Sequence, residues 1–187
     1  MRIYLTRLQN TDMQGKIRLK LNNVKVVDFT TKTTLPTIFS DGMMFQQNKP
    51  MNIWGYGKEG KAIKVEFFKN GISIGKKETA IGADGKWTVS FDGVPASYDK
   101  YSFKVTEGKT LIQEVKDILI GELWVSGGQS NMALSVGGLV NYQDVLAAAN
   151  NDNIRIFLEP TKPTGETSPY EPEKDIAGGY WGHGDNP

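Results

Sequence analysis

The chain has 187 residues, of which 39% are hydrophobic and 23% charged, and its 22 basic and 21 acidic residues leave a formal net charge of +1. This length allows one large domain or two small ones, and the interspersed charges form no basic stripe, which argues against a nucleic-acid partner. The absence of cysteine and the single histidine, His183, exclude disulfides, thiolate metal sites and multi-histidine metal centres. We therefore expect no metal and no cofactor.

The first 33 residues give no clear structural signal. Residues 17–21 alternate briefly, and residues 24–29 have the composition of a second short strand. The N-terminus lacks the apolar core of a signal peptide, and no stretch approaches the ~18 apolar residues that span a bilayer. We treat residues 1–33 as a separate segment of uncertain structure and expect no membrane span.

Residues 34–117 have the pattern of an all-β domain. Alternating apolar and polar residues predict short half-buried strands, with a hairpin turn at Asn70-Gly71 and further turns at 83–85 and 107–109. The strands are expected over residues 51–56, 61–69, 72–79 and 86–91, around Tyr101, Phe103 and Val105, and over residues 111–115. Short strands at this spacing predict an Ig-like β-sandwich over residues 34–117.

Aromatic residues on these strands have two interpretations. Trp54, Trp87, Phe91 and Tyr101 could stack on sugars, as aromatic rings do in carbohydrate-binding modules. Their strand periodicity instead favours packing in the core of the sandwich.

The pattern changes after Asp117. The apolar run at 118–125 predicts a strand buried on both faces, and a helix is expected over 142–149, with Asn141 as its N-cap and Asp144 in its first turn. Another strand is expected over 154–158, and the residues after Pro160 form a loop or ragged end. Residues 118–158 thus predict the first β-loop-α-β unit of an α/β domain that occupies 118–187.

A glycine-bearing loop, residues 126–131, follows the predicted strand. Reactive groups in open α/β sheets gather where loops leave the strands, and Ser130 lies on such a loop after Gly127 and Gly128. A serine on a tight turn can present its hydroxyl group for acyl transfer while its own N–H faces an oxyanion. The same Gly-Gly-x-Ser pattern also occurs in turns without chemistry, and the spacing of a phosphate-binding P-loop is absent.

The segment GELWVSGGQSNM at 121–132 resembles the first conserved block of the sialate O-acetylesterase family, within the SGNH hydrolases of flavodoxin-like fold. Residues 35–50, Trp54-Gly55, the DGKW sequence at 84–87 and the IRIF sequence at 154–157 are similar to further segments of that family. The resemblance extends from residue 34 to about residue 181.

The resemblance implies that Ser130 is the nucleophile that attacks the acetyl carbonyl of an O-acetylated sugar, with sialic acid as the first candidate substrate. It implies an oxyanion contribution from the backbone N–H of Ser130, and a loop-shaping or substrate-binding role for Gln129 and Asn131. Ala133 departs from the family, which often has Glu there. A periplasmic or extracellular location is also implied, although the chain shows no signal peptide.

His183 is the one candidate for a general base within this chain. In the family the catalytic histidine and its aspartate lie near the end of a much longer chain, so we interpret His183 as an exposed loop residue. We accordingly expect this chain to be a truncated N-terminal part, inactive alone.

Two alternatives stay open. The enzyme could act on another acetylated glycan such as xylan, or the chain could be a non-catalytic sugar-binding or structural sandwich with an inert appendage. The sequence gives no oligomeric state.

Overall fold

The computed structural model describes residues 32–128, 136–149, 151–158 and 179–183. The strands predicted at 17–21 and 24–29 lie outside these ranges. In the described part of the chain, no helix is long and apolar enough to cross a membrane.

The structure is mostly β. In chain order its elements are β1 (Met44–Gln46), β2 (Met51–Tyr56), β3 (Ala62–Lys69), β4 (Ile72–Ala80), β5 (Lys86–Phe91), β6 (Ser97–Glu107), β7 (Thr110–Gly121), a 3-10 turn (Val136–Gly138), α1 (Tyr142–Ala148), β8 (Arg155–Leu158) and β9 (Tyr180–His183).

The strands of the described residues form three sheets. The largest has the order β1-β7-β6-β3-β4, β2 pairs with β5, and β8 pairs with β9. All pairs are antiparallel except β1 and β7, which run parallel with Met44 opposite Leu119 and Gln46 opposite Gly121.

Turn chemistry explains the hairpin between β3 and β4. Asn70 and Gly71 have φ values of 48° and 80°, in the left-handed region that a two-residue hairpin turn requires and that Asn and Gly tolerate. The predicted turn is therefore confirmed.

The core lies between the five-stranded sheet and the β2–β5 pair. Alternate residues of both sheets point into it, and Phe67 of β3 is fully buried. The Phe67 ring centroid lies 5.2 Å from that of Phe91 on the opposite sheet, and 5.8 Å and 6.4 Å from those of Tyr101 and Phe103. Two sheets that face one apolar core form the predicted β-sandwich, and its Ig-like classification stays a prediction.

Three of the four aromatic residues are buried and one is partly exposed. Trp87, Phe91 and Tyr101 are buried in the core as predicted. Trp54 is instead 38% exposed, and its ring makes an edge contact with Phe39 at 4.5 Å between centroids. The prediction of core packing is therefore wrong for Trp54, because its strand places it on the outward position between Ile53 and Gly55.

Strand β7 differs from the prediction. Two strands were expected, at 111–115 and 118–125, but one strand runs from Thr110 to Gly121 and the chain leaves the sheet there. Ile118 and Ile120 belong to the sandwich core, and Leu119 between them is also buried, so residues 118–120 are buried on both faces as predicted. They continue a strand of the sandwich sheet and do not begin a separate one. Trp124, predicted in the buried strand, is 87% exposed.

The predicted extent of the helix is confirmed, but the predicted N-cap hydrogen bond from Asn141 is wrong. Helix α1 covers Tyr142–Ala148 with Asp144 in its first turn, whereas Asn141 makes no side-chain hydrogen bond to the helix. Strand β8 covers Arg155–Leu158, close to the predicted strand at 154–158.

The expected loop or ragged end after Pro160 is wrong for residues 180–183. These residues form strand β9, which pairs with β8 and places His183 opposite Arg155. His183 therefore belongs to a strand, where the sequence analysis had a loop histidine.

We expect Phe67→Ala to lower the free energy of unfolding by about 3–5 kcal/mol, because it removes a ring against which four other aromatic rings pack and leaves a cavity. Urea unfolding measures the change. Ile72→Ala, on the exposed edge strand β4, is the control and should change stability by less than about 0.5 kcal/mol. Similar losses in both variants would contradict a core centred on Phe67.

Candidate functional site

The predicted site residues Ser130, Gln129 and Asn131 lie outside the described residues. The structure does describe the segment that leads to them, residues 122–128, which is exposed and follows directly from the end of β7. The residues that contact this segment therefore define the surroundings of the candidate site.

Side chains from the end of β1 hold the start of the segment. The Gln47 backbone N–H donates to the Gly121 carbonyl at 2.8 Å, and the Leu123 N–H donates to the side-chain oxygen of Gln46 at 2.8 Å. The Gln46 amide Nε2 donates to the Glu122 carboxylate at 2.9 Å, and the Gln47 amide donates to its other oxygen. We call Gln46, Gln47 and Glu122 the exit clamp.

The clamp also reaches the neighbouring strand. The side-chain oxygen of Gln47 accepts the Ala96 N–H at 3.1 Å, one residue before β6 begins. Gly121 lies beside the Met44 side chain of β1, whose terminal methyl would be 2.9 Å from a Cβ atom at this position. The exit from β7 is therefore tied to both flanking strands.

Hydrogen bonding governs the charge of Glu122. The amides of Gln46 and Gln47 both donate to the carboxylate and lower the pKa of Glu122 below its ordinary value of 4.5. An ionised carboxylate whose two oxygens are both occupied is suited to anchoring and is a poor general base.

A cleft of about 780 Å³ lies beside this segment. Its walls come from the ends of β1, β6 and β7, from residues 121–126, and from the region of β8 and β9. Its lining includes the aromatic side chains of Tyr98, Trp124 and Trp181 and the polar side chains of Ser97, Glu122 and Asn153. Aromatic faces beside polar groups suit a sugar, whose C–H and O–H groups need both.

The paired strands β8 and β9 form the far wall of the cleft and pack on the sandwich. The Trp181 indole N–H donates to the Ile38 carbonyl at 2.8 Å, and its ring packs against Phe157 at 5.3 Å between centroids. The Arg155 guanidinium, whose side chain is fully buried, lies 2.8 Å from the Asp117 carboxylate on β7.

Asp117 joins the two walls. Its φ of 53° places it in the left-handed region, unusual within a strand, and its carboxylate meets Lys100 at 2.6 Å as well as Arg155. In the sequence, Asp117 marks only the boundary between two patterns, and no role was predicted for Arg155, Gln46, Gln47 or Glu122. One signal in the sequence pointed to these contacts, namely the position of Glu122 in the family motif. The partners of Glu122 became visible only in the fold, which places the end of β1 beside it.

Comparison with known proteins gives relatives over much of the chain. The chain is 30% identical over 125 residues to the sialate O-acetylesterase of Rattus norvegicus, a match that covers 64% of this chain and 23% of that protein. The Mus musculus sialate O-acetylesterase is 30% identical over 128 residues, with the same coverage of 64% and 23%. The chain thus spans about a quarter of the length of these curated relatives. No protein-family model matches it.

A solved structure is also similar. A carbohydrate acetylesterase from Xanthomonas citri superposes with a TM-score of 0.69 at 28% sequence identity, covering 81% of this chain and 32% of that one. These matches relate the chain to the carbohydrate acetylesterases. Within that class, its resemblance to the sialate O-acetylesterase family, indicated by the motif at 121–132, is confirmed.

We expect Asp117→Asn to lower the free energy of unfolding by about 1–3 kcal/mol, because the buried Arg155 guanidinium loses the carboxylate charge that lies 2.8 Å from it. Asn tolerates the positive φ, so the variant tests the charge and spares the backbone. Thermal or urea unfolding gives the value. Lys100→Met removes the more exposed partner of Asp117 and should cost less than about 1 kcal/mol. An equal loss in both variants would show that burial of Arg155 does not matter.

Acid should weaken the exit clamp. Because the pKa of Glu122 is lowered in the folded protein, its contribution to stability is complete above pH 4.5 and is lost as the pH falls through the lower folded-state pKa. In urea unfolding between pH 6 and pH 3, wild type should therefore lose stability more steeply than Glu122→Gln. Glu59→Gln, on the exposed turn before β3, controls for loss of a surface charge, and an identical pH slope in wild type and Glu122→Gln would contradict the mechanism.

Proposed function

We propose that this chain is part of a carbohydrate O-acetylesterase in which Ser130 is the nucleophile. The observation that carries the proposal is the cleft lined by residues of the segment 121–126, which directly precedes the GGQSN sequence at 127–131 in the chain. The matched relatives support the reaction class, since their names describe esterases of sialate and of carbohydrate.

The reaction would be acyl transfer in two steps. The Ser130 hydroxyl oxygen bonds to the acetyl carbonyl carbon as a base takes its proton, and the bond to the sugar oxygen breaks as that oxygen is protonated. Water then hydrolyses the acetyl-serine and releases acetate. The backbone N–H of Ser130 stabilises the oxyanion, Gln129 and Asn131 shape the loop, and no cofactor takes part.

The proposal retains two parts of the chain, a sandwich over 34–117 and the beginning of the esterase domain over 118–187. Strand β7 crosses this boundary, so its last residues serve both parts. The substrate is an O-acetylated sugar, and sialic acid is the first candidate because the curated relatives are sialate O-acetylesterases.

In the full-length enzyme, Ser130→Ala should lower kcat for an acetylated sugar by a factor of about 10⁴–10⁶, as loss of the nucleophile does in other serine hydrolases. Release of acetate measures the rate, and unchanged thermal unfolding shows that the fold is intact. Retention of more than about a tenth of the wild-type rate would mean that another residue attacks.

The 187-residue chain alone should show no Ser130-dependent turnover, because a serine hydroxyl needs a base and the family takes its histidine from much later in the sequence. Hydrolysis of acetylated phenol by the chain and by Ser130→Ala tests this. Turnover that disappears in both Ser130→Ala and His183→Ala would instead make His183 the base.

A further inference from the structure

The Gln46 side chain continues the ladder between β1 and β7 beyond its last backbone pair. Gln46 lies opposite Gly121 in the register, and its side chain then bonds both the Glu122 carboxylate and the Leu123 backbone N–H. A side-chain amide carries the same donor and acceptor as a peptide group, so it can take the place of the next strand residue. Beyond the ladder, the Gln46 side chain thereby pairs one further backbone group, the Leu123 N–H, and contacts the Glu122 carboxylate.

We propose that the exit clamp of Gln46, Gln47 and Glu122 positions the nucleophile segment, which makes these three side chains positioning residues for the reaction of Ser130. The proposal rests on the proposed function. Ser130 follows Glu122 by eight positions, and the residues from Trp124 to Gly128 between them are exposed. The clamp therefore sets where and in which direction the segment leaves the sandwich.

Charge strengthens the clamp. Both amides donate to a carboxylate, and such charge-assisted hydrogen bonds are stronger than those between neutral groups. The Gln47 side chain also accepts the Ala96 N–H, which holds Gln47 in place, and a movement of Glu122 has to break its bonds to both glutamine amides. A small displacement of a nucleophile costs rate steeply, since the reacting atoms must be held within about 3–3.5 Å.

A merely structural role is the main alternative, and a matched glutamine separates the two. Gln113 lies on β7, at a point before that strand reaches the cleft. Its side-chain amide donates a hydrogen bond to the Phe39 carbonyl at 2.7 Å. Gln46→Met and Gln113→Met each replace a hydrogen-bonding amide by an apolar side chain of similar length. Only the first loosens the exit.

The first measurement is hydrogen exchange at the Leu123 amide of the 187-residue chain. Gln46→Met should speed this exchange about 3- to 10-fold, the loss of one hydrogen bond, and Gln113→Met should leave it unchanged. The second is the rate at which a fluorophosphonate labels Ser130 in the full-length enzyme. Gln46→Met should slow labelling and lower kcat about 10- to 100-fold with KM changed less than about threefold, whereas Gln113→Met should alter neither.

The outcomes are distinct. Wild-type labelling in Gln46→Met, together with faster Leu123 exchange, would overturn the positioning role and leave Ser130 as nucleophile. Absence of labelling in wild type would overturn the proposed function, and the positioning role with it. If Gln46→Met does not fold, Glu122→Gln preserves side-chain volume, weakens the same contacts and is expected to shift the same two rates in the same direction.

Discussion

Strand β7 lies between β1 and β6, and its twelve residues belong both to the sandwich core and to the wall of the cleft. Val115, Ile118 and Ile120 are buried in that core. Any shift of β7 along its neighbours would move these side chains out of register with the opposite sheet, and interior packing resists such a shift. The point at which the chain leaves for Ser130 is thus fixed by apolar packing on the far side of the strand.

The pair of strands β8 and β9 is held against β7 by polar contacts, in addition to the apolar packing that fixes β7. Burial of the Arg155 guanidinium costs solvation, and its pairing with Asp117 offsets that cost without making the pair a large net source of stability. What the pair supplies is a defined position, because a buried charge has few acceptable partners. The Arg155–Asp117 pair and the indole hydrogen bond from Trp181 to Ile38 together fix the width of the cleft between the β8–β9 pair and β7.

Local patterns predicted most of the sandwich and little of the cleft. Alternation located β2 to β5 within two residues, and the Asn70-Gly71 turn followed from its φ requirement. The exit of β7 was misplaced because an apolar run looks the same beside a sandwich core as inside a parallel sheet. Gln46, Gln47 and Arg155 were missed because their partners are distant in sequence, and β9 because its four residues pair with a strand over twenty positions earlier. The predicted role of Ser130 depends on the sequence motif alone.

The family motif itself divides at this exit. Its first residues contact the end of β1: Gly121 lies beside the Met44 side chain, and Glu122 accepts hydrogen bonds from the amides of Gln46 and Gln47. Its later residues, from Gly127 onward, carry the proposed chemistry. If Ser130 is the nucleophile as proposed, the motif couples the edge of the sandwich to the reaction. The sandwich would then supply the rigid element from which the proposed nucleophile segment leaves, as catalytic groups require.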